Sequence, residues 1–149
     1  MSLTNVWLQT LRDGLVRADQ VTGIDAHQTP ALTGKPSNWL LDIVLPTPTG
    51  SGTRGDWGLS ALHRTLIQTP LQPGDATVVL ARLLAQLDAV HAAGVILTSR
   101  DDTTSTEGRA RDPDAAPVGE VAAASSVVRF RFTPFPTPPP GHHTASEYL

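Results

Sequence analysis

The residues best suited to bind a metal ion are the adjacent His142 and His143 near the C-terminus. They follow a run of prolines, which favours an extended chain. Successive side chains of an extended chain point to opposite sides, so the two imidazoles are poorly placed to hold one ion. The chain has no cysteine, which excludes thiolate zinc sites and cysteine nucleophiles. We therefore predict a solvated tail and no metal site.

Nucleophilic catalysis would require a serine or threonine held close to a base, and outside the tail the candidate bases are His27, His63 and His91. None of them accompanies a Gly-x-Ser-x-Gly pattern. His91 falls in the last turn of a predicted helix, where a cation interacts favourably with the helix dipole. That role accounts for His91 without catalysis.

Carboxylate pairs and glycine-rich loops offer equally little chemistry. Asp101-Asp102 and Asp112-Pro113-Asp114 lie in an irregular segment, without the apolar burial and fixed separation that acid–base catalysis needs. Gly50-Ser51-Gly52 lacks the lysine and helix that follow a phosphate-binding loop. We predict that the chain is not an enzyme and binds no cofactor.

Two motifs that contain arginine suggest protein contacts instead. Arg54-Gly55-Asp56 spells the tripeptide that integrins bind, although coincidence explains so short a match better. Arg129 and Arg131 are two residues apart on a predicted strand and share a face. They either bind an acidic partner surface or form a solvated face of the sheet. The candidate contacts with other subunits or partners are Arg54, Asp56, Trp57, Arg129, Arg131, Phe135 and Tyr148.

Length and charge are typical of one small domain without affinity for nucleic acid. The chain has 149 residues and a net charge of −3, and its 11 basic residues form no cluster. No apolar run reaches the roughly 18 residues needed to span a bilayer, and the N-terminus lacks the basic segment of a secretory signal. We expect a soluble protein that is cytoplasmic or bound to a particle, with no membrane or specific nucleic-acid partner.

The spacing of apolar residues predicts the elements of the N-terminal half. A helical stripe covers Leu3–Val16, and a short edge strand falls within residues 24–33. The alternating strand Trp39–Leu45 pairs with a second strand, Ala61–Gln68. Between them, prolines and glycines predict a protruding arm over residues 46–58.

The C-terminal half contains the strongest helical pattern. A helix over Asp75–Ala93 is capped by its first residue and ends at the following glycine. A brief strand, Val95–Thr98, precedes a long irregular loop over residues 99–126. Val127–Thr133 alternates cleanly as a strand, and residues 134–149 form a proline-rich extended tail.

These elements predict a single α+β domain over residues 1–133. Its small mixed or antiparallel sheet would be packed by an N-terminal helix and one central helix, with long loops and the extended C-terminal tail. The order of elements resembles that of the tail terminator proteins of long-tailed bacteriophages, of the lambda-like type. The elements that carry the resemblance are the Leu3–Val16 helix, Trp39–Leu45, the Pro46–Asp56 arm, Ala61–Gln68, the Asp75–Ala93 helix and Val127–Thr133.

The resemblance covers most of the chain, but it is a pattern of elements and includes no signature motif. It implies a homo-oligomeric ring, typically of six copies, that caps the tail tube and joins it to the head connector. The implied partners are the tail-tube and connector proteins, and the implied location is the virion tail or neck after assembly in the host cytoplasm. The family has no catalytic residues to carry over, which agrees with the search above.

Two other classes remain open. One is another head–tail connector, tail completion or tube-associated virion protein. The other is a small cytosolic binding or chaperone-like module, which would show a concave apolar groove instead of complementary surfaces on opposite sides.

Overall fold

The computed structural model describes residues 3–12, 14–53, 56–101 and 125–138, and its fold is mixed α+β, as the sequence predicts. In chain order the elements are β1 (Val6–Gln9), β2 (Leu15–Arg17), β3 (Gly23–Gln28), β4 (Trp39–Thr53), β5 (Asp56–Thr69), α1 (Ala76–Ala89), β6 (Gly94–Asp101) and β7 (Val127–Pro134). The strands of the described residues form two sheets. The four-stranded sheet has the order β2-β1-β6-β7, and the three-stranded sheet has the order β3-β4-β5.

The predicted N-terminal helix over Leu3–Val16 is wrong. After a single 3-10 turn, the chain forms the antiparallel hairpin of β1 and β2. Val6 and Leu8 are buried whereas Trp7 between them is only partly buried, which is the alternation of a strand. The hairpin forms because β1 also pairs in parallel with β6, a distant partner that the local spacing of apolar residues does not reveal.

The three-stranded sheet contains the predicted edge strand and the predicted pair of strands. β3 pairs with β4, and β4 pairs with β5, both in antiparallel fashion. Leu66 has no partner in this register, because Leu41 lies opposite Ile67 and Asp42 lies opposite Thr65. This bulge turns both Leu66 and Ile67 into the core, where strict alternation would place them on opposite faces.

Helix α1 is confirmed as the main helical element, although it is shorter than predicted. It buries Leu80, Leu84 and Leu87. It ends at Ala89, well before Gly94, and His91 just after it has a left-handed backbone with φ 51°. The His91 N–H donates to the Asp88 carbonyl and the Ala92 N–H donates to the Leu87 carbonyl, the two bonds of a Schellman ending. His91 therefore lies just beyond the helix and not in its last turn as predicted.

Strands β6 and β7 pair in antiparallel fashion along their whole lengths. β6 extends to Asp101, so residues 99–101, which were predicted to be irregular, belong to the strand. Residues 102–124 of the predicted loop lie outside the described part. Residues 135–138 of the predicted tail are described and have no regular structure, whereas the tail from residue 139 onward lies outside the described part.

The core lies between the inner faces of the two sheets and α1. Each sheet contributes one set of alternating side chains, and the helix contributes its leucines. The buried members of the larger cluster are Val6, Leu8, Val16, Ala18, Ile43, Leu45, Leu66, Leu80, Leu84, Leu87 and Ile96. The outer faces of both sheets are therefore left for other contacts.

Candidate functional site: a hairpin arm, an arginine face and a histidine–aspartate cluster

The predicted arm is the distal half of the β4–β5 hairpin. We define the hairpin arm as residues 46–61, of which 48–53 and 56–61 form paired strands. β3 covers β4 only from Trp39 to Val44, so the described strands of the hairpin arm pair only with each other. An irregularity between Leu45 and Pro48 separates the arm from the three-stranded body of the sheet.

Three predicted contact residues belong to the hairpin arm. Asp56 and Trp57 are the first residues of β5, opposite Thr53 and Gly52. Arg54 lies outside the described residues, so its contact role stays a prediction. A two-stranded hairpin is at best marginally stable in water unless it packs on another surface. We therefore expect the hairpin arm to pack on one.

The arginine face is the outer surface of β7. Arg129 and Arg131 are exposed and share one face, as predicted, while the phenylalanines between and after them point toward the core. The Arg129 Nε atom lies 2.5 Å from Asp101 Oδ2, so this arginine is partly neutralised. Arg131 has no ion pair within the described part of the chain.

The remaining predicted contacts lie at the end of the same strand. Phe135 follows β7 with its side chain about half exposed, and its N–H donates to the carbonyl of Ala93. Tyr148 lies outside the described residues. Phe135 thus adds an apolar side chain beside the arginine face, and Tyr148 stays a prediction.

A histidine–aspartate cluster lies on the outer face of the three-stranded sheet. Asp25 lies directly opposite Asp42, and His27 is two residues after Asp25 on the same strand and therefore on the same face. His63 on β5 lies opposite Val44, which shares a face with Asp42. The pairing of three strands thus brings two imidazoles and two carboxylates together.

The cluster is densely spaced around one buried carboxylate. Asp42 Oδ2 lies 3.5 Å from His63 Nδ1 and 3.7 Å from His27 Nδ1. His27 Nδ1 also lies 3.5 Å from Asp25 Oδ2. The Asp42 side chain is only 3% exposed, whereas the two imidazoles are 43% and 41% exposed. Asp42 is therefore the buried residue of the cluster, and the two histidines are its partly exposed residues.

Sequence reasoning considered His27 and His63 as catalytic bases and missed both aspartates. One signal was present: Asp42 is a charged residue in the middle of an apolar strand, where a carboxylate is costly to bury. The convergence itself depends on the register of β3, β4 and β5. The predicted tail histidines, His142 and His143, lie outside the described residues.

An open groove of about 490 Å³ lies between the start of β3 and α1. Its lining is mainly apolar and includes Val21, Ile24, Val78 and Leu84. Among the described residues no titratable side chain lines it, so this lining offers a surface for binding but no groups for acid–base catalysis.

Comparison of the chain with protein-family models, with curated proteins and with solved structures finds no match in any of the three. In the described ranges, no helix combines the length and the apolar character needed to cross a membrane.

Proposed function

We propose that this chain is a structural assembly subunit, of the type that forms a tail terminator ring in long-tailed phages. The observation that carries the proposal is the hairpin arm, whose described strands pair only with each other. The proposed ring caps the tail tube and joins it to the head connector, so the protein acts in the virion tail or neck and performs no catalysis.

The composition of the hairpin arm supports assembly, because its glycines make an isolated hairpin unstable. Glycines at positions 50, 52 and 58 weaken an isolated ribbon, since glycine loses more backbone entropy on folding than other residues. Packing on a neighbouring copy would supply apolar contacts that stabilise the hairpin arm. A projecting arm on one side and a receiving surface on another is the arrangement of a heterologous, ring-forming interface.

The arginine face supports a second contact. Arg131 lacks an ion pair within the described residues, and acidic residues outnumber basic ones by 14 to 11 in the whole chain. A carboxylate of a neighbouring copy is the partner that we propose for this arginine. Charge complementarity of this kind sets orientation and partner choice more than raw affinity.

The order of elements favours the terminator class. Five of the six elements that carry the resemblance remain: the two strands of the long hairpin, its arm, the central helix and the last strand. The sixth, the N-terminal helix, is a strand hairpin instead. Another head–tail connector, tail completion or tube-associated protein would use the same arm and stays the first alternative.

One observation favours the second alternative, a small binding or chaperone-like module. The apolar groove beside Ile24 and Val78 is large enough to hold a few side chains of a bound peptide. Val78 is more than half exposed. Such a module would act as a monomer or dimer. The oligomeric state therefore separates the two functions.

The test is the mass of the purified chain by light scattering, with and without the hairpin arm. In the variant, residues 46–61 are replaced by Asn-Gly, a two-residue turn that suits the facing pair Leu45 and Leu62. We expect the full chain to form a closed oligomer of about six 15.8 kDa copies and the variant to be a folded monomer. Leu32→Ser, in the exposed turn between β3 and β4, is the control and should assemble normally. A full chain that stays monomeric at all concentrations would overturn the proposal.

A further inference from the structure

We propose that the histidine–aspartate cluster, Asp25, His27, Asp42 and His63, binds one divalent transition-metal ion, with Zn²⁺ as its best-suited occupant. The inference is independent of the proposed function, because it rests only on the outer face of the three-stranded sheet. It departs from the sequence-based prediction, which placed the only candidate metal ligands in the tail.

The spacing of the ligand atoms fits a single small ion. One ligand atom each from Asp25, His27 and His63 lies within 4.8 Å of the others. Asp42 is not one of these three, but its Oδ2 atom lies 3.7 Å from His27 Nδ1 and 3.5 Å from His63 Nδ1. Zinc bonds of about 2.0–2.1 Å give a tetrahedron with edges of about 3.3–3.4 Å. The three separations of 3.5 to 3.7 Å are close to that edge, and binding of an ion by all four residues requires the exposed Asp25, His27 and His63 side chains to move toward Asp42.

Asp42 supplies the second, independent observation. Its side chain is 3% exposed, its Oδ2 atom faces both histidines, and its other oxygen, Oδ1, has no hydrogen-bond partner among the described residues. The histidine nitrogens at 3.5 and 3.7 Å are too distant for ordinary hydrogen bonds to Oδ2. A buried carboxylate without donors is costly, and coordination to a cation is one of the few arrangements that compensates it.

The facing carboxylates point to the same conclusion. Asp25 and Asp42 are directly opposite each other on β3 and β4, where like charges destabilise a strand pair. A divalent cation between them converts this repulsion into attraction. Without an ion, the cluster combines an unpartnered buried acceptor with a repulsive cross-strand pair.

The donor set selects the class of metal. Two imidazole nitrogens with carboxylate oxygens suit Zn²⁺ and its neighbours in the first transition row, whereas Ca²⁺ and Mg²⁺ prefer sites built from oxygen alone. The ion would join all three strands close to the base of the hairpin arm, because the pair Val44–His63 is adjacent to the pair Leu45–Leu62, from which the arm begins. It would therefore fix the direction in which the arm leaves the sheet.

The experiment is calorimetric titration of ZnCl₂ into the full chain after removal of metals with EDTA. A double variant, H142Q/H143Q, removes the tail histidines and is the background for all measurements. We expect this background variant to bind one Zn²⁺ per chain and to have a higher Tm with Zn²⁺ than without it. Titration with MgCl₂ should show no binding. His63→Gln and Asp25→Asn should each raise the Kd at least about 10-fold, since each removes one ligand from an exposed side chain.

The control is His91→Gln, which removes a histidine outside the cluster and should leave the Kd within about 2-fold of the background. Circular dichroism establishes that each variant is folded. Two ligand variants are used so that, if one of them misfolds, the other still tests the proposal. Absence of Zn²⁺ binding in the background variant would overturn the proposal. An unchanged Kd in His63→Gln and Asp25→Asn would do so equally.

Discussion

Asp42 Oδ2 lies 3.5 Å from Nδ1 of His63, while Asp42 Oδ1 is buried without a hydrogen-bond partner among the described residues. A strand residue that faces away from the core is normally solvated, yet this one is sealed by two imidazoles. The sheet therefore contains a buried carboxylate oxygen, Asp42 Oδ1, without a donor among the described residues, and this has consequences for stability.

Replacing Asp42 with valine should stabilise the metal-free protein. The substitution removes an unpartnered buried acceptor, which costs about 1–3 kcal/mol, and introduces a residue that suits a strand. We expect the free energy of unfolding, measured by urea denaturation in EDTA, to rise by about 1–3 kcal/mol. Asp25→Val, at a half-exposed position, relieves the same cross-strand repulsion without removing a buried acceptor, so it should raise the free energy of unfolding by less, about 0.2–1 kcal/mol. A loss of stability in Asp42→Val would mean that the carboxylate has a donor after all.

Alanine at position 94 should disrupt the pairing of β6 with β7. A Cβ atom there would collide with the carbonyl oxygen of Thr133 and lie 2.7 Å from Cζ of Phe132 and 2.8 Å from Cα of Pro134. Two of these atoms are backbone, so we expect a loss of about 3 kcal/mol or more in the free energy of unfolding. Gly58→Ala meets nothing within 4 Å and serves as the control. Equal stabilities of the two variants would contradict the close packing at Gly94.

Glycine at position 91 should stabilise the end of α1. His91 has φ 51°, a left-handed conformation that glycine adopts without strain, and it occupies the position where helices most often place glycine. The expected gain from His91→Gly is about 0.5–1 kcal/mol, measured by thermal or urea unfolding. His91→Ala keeps the strain and should show no gain. If alanine stabilised as much as glycine, the left-handed ending would be excluded.

Reversing the charge of Arg131 should weaken assembly without unfolding the subunit. Under the proposed function this arginine meets acidic surface on a neighbouring copy, so Arg131→Glu should raise the dissociation constant of the oligomer at least about 10-fold. Arg82→Glu makes the same charge change on the exposed face of α1 and is the matched control. Concentration-dependent light scattering measures both. Equal dissociation of the two variants would mean that net charge, and not the arginine face, is responsible.

The strands with a clear alternation could be predicted from the sequence because their signal is local. Strands at Val127–Thr133 and Trp39–Leu45 are confirmed, and so is the pairing of Trp39–Leu45 with Ala61–Gln68. The pairing of Val127–Thr133 with β6 is not apparent from the sequence. The N-terminal hairpin could not be predicted in the same way. Its apolar residues fit a helical stripe as well as a strand, and the decision is made by parallel pairing with β6, far along the chain.

The histidine–aspartate cluster depends on information that is still less local. If β3 is predicted to be a strand, the spacing of Asp25 and His27 places them on the same face. Their proximity to Asp42 cannot be predicted without the register of the β3–β4 pair. The position of His63 further depends on the bulge at Leu66, which shifts β5 by one residue relative to β4. A bulge of this kind leaves no clear mark in the spacing of apolar residues, since Leu66 and Ile67 suit either face.

The most direct test of the proposed function is amide hydrogen exchange of residues 48–61 at protein concentrations above and below the assembly midpoint. If the hairpin arm is stabilised by a neighbouring copy, its amides should exchange slowly in the oligomer and close to the rate of an unstructured chain in the monomer, while β6 stays protected in both. Equal protection of the arm at all concentrations would contradict the account, because the arm would then be stable within a single subunit.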